Sequence, residues 1–168
     1  MKVDTHGYAV QIGVSHHKIH HGMLFSVSDI DTDVDVSGPK YWRLHTPAGI
    51  NVHADIKVTA DNDAVAVLYR AATVSGAGSA LSVVNRNENS ANVAATLAFK
   101  DTTVSSDGTL RETIRVATGT NNPNNGNSTG ERGEEWELLP ETDDTIKVTT
   151  GNDNTSVEIQ ISLYEEDH

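Results

Sequence analysis

The stretch INVHADIKVT, residues 50–59, decides the fold class. Val52, Ala54, Ile56 and Val58 fall on one side of an extended chain, and His53, Asp55 and Lys57 on the other. A period of two belongs to a strand with one buried face, because successive side chains of an extended backbone point to opposite faces. The alternation returns in SVEIQISLY (156–164), where Val157, Ile159, Ile161 and Leu163 oppose Ser156, Glu158, Gln160 and Ser162. AVAVLYR (64–70) is nearly continuous in apolar residues and reads as a strand covered on both faces. VAATLAF (93–99), TLRETIRVAT (109–118, with Leu110, Ile114 and Val116) and TIKVTT (145–150) are further strand candidates. No capped amphipathic pattern is long enough to predict a helix.

The punctuation agrees. Asp107-Gly108 is a two-residue hairpin signal. Asp61-Asn62-Asp63 and Gly151-Asn152-Asp153-Asn154 separate strand patterns, and Ser37-Gly38-Pro39 and Thr46-Pro47-Ala48-Gly49 punctuate the first third. Short strands between such turns predict an all-β chain, a single jelly-roll-like β-sandwich domain over 1–168. An N-terminal arm is expected over about 1–22. GTNNPNNGNSTGERG (119–133) has almost nothing to bury, so it reads as a long mobile Asn/Gly-rich loop between two strands. Such a loop either binds a partner or is a tolerated insertion.

Composition narrows the function classes. The 168 residues carry a formal net charge of −12, which disfavours nucleic acid and anionic membranes as partners. The N-terminus does not read as a secretory signal, and no run approaches a membrane span. With no cysteine there is no disulfide, thiolate metal site or thiol nucleophile, which suits assembly in a reducing cytosol.

The most conspicuous cluster is SHHKIHHG (15–22), with His16, His17, His20 and His21. As a strand or as a helical turn it offers two imidazoles per face, whereas a zinc site takes three or four protein ligands. His6, His45, His53, His168 or a symmetry-related copy would have to complete it. A polar surface with a pH response is the reading preferred over a metal. In SDIDTDVDVSG, Asp29, Asp31, Asp33 and Asp35 alternate with Ile30, Thr32, Val34 and Val36. The EF-hand glycine and glutamate are missing, so these carboxylates read as a solvated strand face that discourages edge pairing, and only weakly as a cation site. No nucleophile elbow, P-loop or dinucleotide fingerprint occurs. Glu134 and Glu135 beside Trp136 are adjacent on a strand and point apart, a poor acid pair for sugar cleavage. Trp136 and Tyr41-Trp42 read as anchors of the core or of an interface. No catalytic residue and no cofactor is expected.

Two stretches, HHKIHHGMLFSV (16–27) and NRNENSANVAATLAFKDTTVSSDGTLRETIRVATGT (85–120), with the closing ISLYEEDH (161–168), resemble in order the small structural proteins of tailed-bacteriophage virions. The second His pair and the Asn-rich loop depart from that pattern. The resemblance implies a non-enzymatic capsid decoration (cement) protein, made in the host bacterial cytoplasm and carried on the capsid surface. It would bind the major capsid protein and itself, as a trimer by analogy with shell parts at threefold positions, and stabilise contacts between capsid subunits. His16, His17, His20, His21, Trp42 and Trp136 would then belong to the interface. The rival readings are a carbohydrate- or receptor-binding module of a phage fibre and, last, a metal-dependent cupin-like enzyme, whose ligand spacing is missing.

Overall fold

The computed structural model describes residues 14–116 and 135–167. A short helix, α1 (Val14–His20), leads into β1 (Leu24–Val34), β2 (Lys40–His45), β3 (Ile50–Ala60) and β4 (Ala64–Arg70). Five short strands follow: β5 (Thr73–Gly76), β6 (Ser79–Leu81), β7 (Val84–Asn85), β8 (Leu97–Lys100) and β9 (Thr103–Ser106). The chain closes with β10 (Thr109–Val116), β11 (Trp136–Leu138), β12 (Asp143–Thr150) and β13 (Thr155–Asp167). The loop expected over 119–133 and the arm residues 1–13 lie outside the described residues.

The strands form an all-β sandwich. One sheet runs β11-β3-β13-β1-β7 and the other β10-β4-β12-β2-β8-β6, with every neighbouring pair antiparallel. If β5 to β9 are set aside, successive strands alternate between the sheets, except that β4 and β10 pair with each other. The Asp61–Asp63 and Gly151–Asn154 turns therefore carry the chain from sheet to sheet.

The alternation in β3 and β13 puts the core where the pattern predicts. Val58 pairs with Ile159, Ile56 with Ile161 and Ala54 with Leu163, and all six are buried. They pack with Trp42, Leu44, Ala66, Leu68, Ile146 and Val148 of the opposite sheet in one cluster. Each large aliphatic side chain so buried contributes about 1.5–3 kcal/mol relative to exposure. In β4, Ala64, Ala66 and Leu68 face this core, while Val65 and Val67 on the outer face are half-buried. A bulge between Leu110 and Glu112 shifts the phase of β10, so Leu110 is 57% exposed although Ile114 packs on the core.

Asp107-Gly108 is not a hairpin turn. β9 pairs with β5 and β10 with β4, so the dipeptide is where a long hairpin bends as it leaves the sheet. Two bends each combine a glycine and a non-glycine residue at positive φ: Ala71 with Gly108, and Asp101 with Gly78. A Cβ on Gly108 would sit 2.3 Å from the Arg70 carbonyl oxygen, and one on Gly78 2.0 Å from that of Lys100. Between the bends the β5–β9 ribbon passes over the outer face of the six-stranded sheet as a strap. The Asp107 carboxylate accepts from Tyr41 Oη (2.9 Å) and Lys147 Nζ (2.8 Å) there, and Thr145 on that face is wholly buried. Past the second bend, β8 pairs with β2 and β6 with β8, while β7 pairs with β1. The segment β5–β9 (73–106), an insertion between β4 and β10, thus lengthens both sheets at the same edge.

Candidate functional site

The histidine segment is a helix with a built C-terminus. A seven-residue helix is too short to persist alone. Its end is a Schellman turn: Gly22 N–H donates to the Ile19 carbonyl and Met23 N–H to the Lys18 carbonyl, both at 2.9 Å, with Gly22 at φ +65°. The remaining carbonyls would be unpaired. They are taken by asparagines of the insertion: Asn87 Nδ2 donates to His20 O (3.3 Å), and Asn92 Nδ2 to His21 O (3.3 Å) and Gly22 O (3.2 Å). Asn85 Nδ2 also donates to Gly22 O at 2.9 Å.

Two of these amides have a second task. Asn85 Oδ1 accepts from Asn87 N–H and Asn87 Oδ1 from Asn89 N–H, successive Asx turns that shape the NRNENSAN segment. In Asn85 and Asn87 the donor end of the side chain grips the histidine turn while the acceptor end folds its own loop. Aspartate could do only the second. Ser90 closes the contact, since a Cβ on Gly22 would lie 2.0 Å from its Oγ. The two stretches that carry the phage resemblance therefore meet as one unit.

The helix is also bound to the sheet. Lys18 Nζ pairs with Glu166 and lies 4.5 Å above the Tyr164 ring, which stacks on His53 at 4.6 Å. His53 lies 3.6 Å from Glu135 and 3.9 Å from Glu166. Burial, with hydrogen bonding to Glu135, raises the Tyr164 pKa, and the hydrogen bond from Lys18 lowers that of Glu166. The described part of the expected arm, 14–22, is thus docked on the sandwich. His53, Tyr164, Glu135 and Glu166 come from three separate stretches, and only the strand phase of 50–59 and 156–164 hinted that His53 and Tyr164 share an outer face.

His17, His20 and His21 are exposed at this turn, and the His17 and His21 rings lie 4.4 Å apart. The His16 side chain lies outside the described part. The four aspartates do not share a solvated face. Asp29 and Asp31 pair with Ile159 and Val157, so they point between the sheets, and the bulge before Val34 then changes the phase. Asp29, with 9% of its side chain exposed, accepts from Trp42 Nε1 (2.8 Å) and Lys100 Nζ (3.1 Å). Asp31 pairs with Lys40 at 3.1 Å. Asp33 is exposed, and Asp35 accepts from Asn154 N–H. Among the described residues no three His or carboxylate groups are grouped to hold a metal ion.

The two tryptophans separate. Trp42 is 3% exposed and belongs to the core, which corrects its assignment to an interface. Trp136 is half-buried on β11 and donates to Glu112 Oε2 at 2.9 Å. No helix of the described residues is long and apolar enough to cross a membrane. The chain matches no family model, no curated protein and no solved structure.

Proposed function

We propose that this protein is a non-enzymatic structural component of a tailed-phage virion, a capsid decoration protein. It binds the outside of the shell and joins neighbouring capsid subunits, as a homo-oligomer, a trimer by analogy with shell parts at threefold positions. The observation that carries this reading is the union of the two phage-like stretches: the asparagine loop grips the histidine turn through four side-chain to backbone hydrogen bonds. The sheet order supports a jelly roll, a fold used by viral shell proteins. Decoration would stabilise the shell by mass action, through binding only the assembled form.

A second reading, a glycan-binding module of a fibre, is favoured by one feature. An open groove of about 570 Å³ on the outer face of the five-stranded sheet is lined by Ser26, Ser28, Asp55, Lys57, Arg86, Gln160 and Ser162, a size suited to small ligands. The two are separated by pelleting the purified protein with undecorated shells of the phage that encodes it and by glycan-array binding. Decoration predicts saturable co-pelleting and a trimeric molar mass by light scattering. Glycan binding without co-pelleting would replace it with the second reading.

A further inference from the structure

We propose that His17 and His21 form a two-imidazole chelate for a divalent transition ion such as Ni²⁺ or Zn²⁺. The spacing of four residues, from α1 into the turn that ends it, puts both rings on one side. The helical register persists through the pair, because His21 N–H donates to the His17 carbonyl at 3.2 Å. The ring centroids lie 4.4 Å apart with a 41° tilt. Two imidazoles at neighbouring positions of an octahedral ion, with metal–nitrogen bonds of about 2.1 Å, have centroids about 4.5 Å apart, so the observed ring separation is compatible with a shared ion.

The turn is held from both sides. Asn87 and Asn92 fix the carbonyls of His20 and His21, and Lys18 is tied to Glu166 and Tyr164. The backbone of the turn is thus ordered before an ion binds, and only the two exposed side chains remain to be fixed. Imidazole nitrogen selects Zn²⁺, Ni²⁺ and Cu²⁺ over Ca²⁺ and Mg²⁺. The chain's net charge of −12 raises the local cation concentration. With only two ligands from the chain, the site is open, and its other positions are left to water or to a ligand from a second chain. That distinguishes it from a closed structural zinc site.

The test is isothermal titration of the full chain with Ni²⁺, and separately Zn²⁺ and Ca²⁺, on wild type, His17→Asn, His21→Asn and His20→Asn. The expected result is a site for Ni²⁺ and Zn²⁺ and none for Ca²⁺. Affinity should fall at least tenfold in His17→Asn and in His21→Asn, and less than threefold in His20→Asn. Both rings are exposed, so unchanged circular dichroism is expected in each variant. Selective Ni²⁺ broadening of the His17 and His21 ring protons in NMR spectra gives a second readout. Wild-type affinity retained in either His17→Asn or His21→Asn, or broadening confined to other histidines, would overturn the proposal.

Discussion

The two long edges of the sandwich use the same bolt and finish it differently. At the β1/β2 edge the Trp42 indole N–H crosses to Asp29 of the other sheet; at the β10/β11 edge that of Trp136 crosses to Glu112. In each pair one sheet supplies the indole and the other the carboxylate. The first bolt is sealed by the insertion, which adds Lys100 to Asp29 and lays β8 and β7 outside β2 and β1. The second has no such cover among the described residues, and Trp136 stays half-buried. A carboxylate near the core is thus tolerated where a donor from each side satisfies it. Among the described residues, the insertion and not the tryptophan distinguishes the two edges.

Breaking the sealed bolt should have the largest effect. Trp42→Ala should cost about 3–5 kcal/mol, read from the urea midpoint, because it empties a core site and removes one of the two donors to Asp29. Next comes the strap that brings the cover into place. Gly78→Ala should cost about 2–3 kcal/mol, since the Lys100 carbonyl occupies the space a Cβ needs and φ is +80°. Gly49→Ala is the control: at φ +76° it has nothing within 4 Å, so only the backbone strain of about 1 kcal/mol applies. An equal loss at both glycines would mean that the Lys100–Thr102 backbone yields to the added Cβ. Asp29→Asn keeps an acceptor for Trp42 and removes the charge facing Lys100, which should cost about 1–2 kcal/mol. Glu112→Gln at the open bolt should cost less than about 1 kcal/mol. A larger loss there than at Asp29 would reverse the ranking of the edges.

Acid acts on the strap in a defined direction. Burial alone would raise the Asp107 pKa, but hydrogen bonds from Lys147 and Tyr41 outweigh it and hold it below the usual carboxylate value. A carboxyl whose folded pKa is depressed stabilises the fold above its unfolded pKa, and this contribution fades as pH falls through the folded value. Below about pH 4, the ordinary range for aspartate, the protection of amides 103–106, taken relative to the intrinsic exchange rate at each pH, should therefore fall in wild type, while Asp107→Asn should show the lower protection already at pH 7.

The alternation of β3 and β13 could be read directly from the sequence, because each has one dry face and one wet face and the core is their common boundary. The aspartate row could not. Its alternation is broken by the bulge before Val34, and period alone does not say which face is buried; of the groups that receive the carboxylates, Lys40 and Trp42 lie on the next strand and Lys100 in a distant segment. Asp107-Gly108 has hairpin chemistry because a bend at positive φ makes the same demand as a tight turn. The asparagine clamp was hidden for a related reason. NRNENSAN has the composition of a loop, and its grip on His20, His21 and Gly22 depends on contacts across more than sixty residues of chain. The histidines themselves were conspicuous, and the helical alternative gave their i,i+4 pairing.

The measurement that tests the central claim most directly is the temperature at which undecorated shells of the encoding phage release their contents, followed with increasing amounts of the purified protein. Decoration predicts a saturable rise in that temperature, with bound copies in fixed ratio to the major capsid protein. It also predicts that Asn85→Asp, which removes one hydrogen bond to the histidine turn, weakens the rise. A release temperature unchanged at saturating protein, with no copies on the shell, would contradict the account.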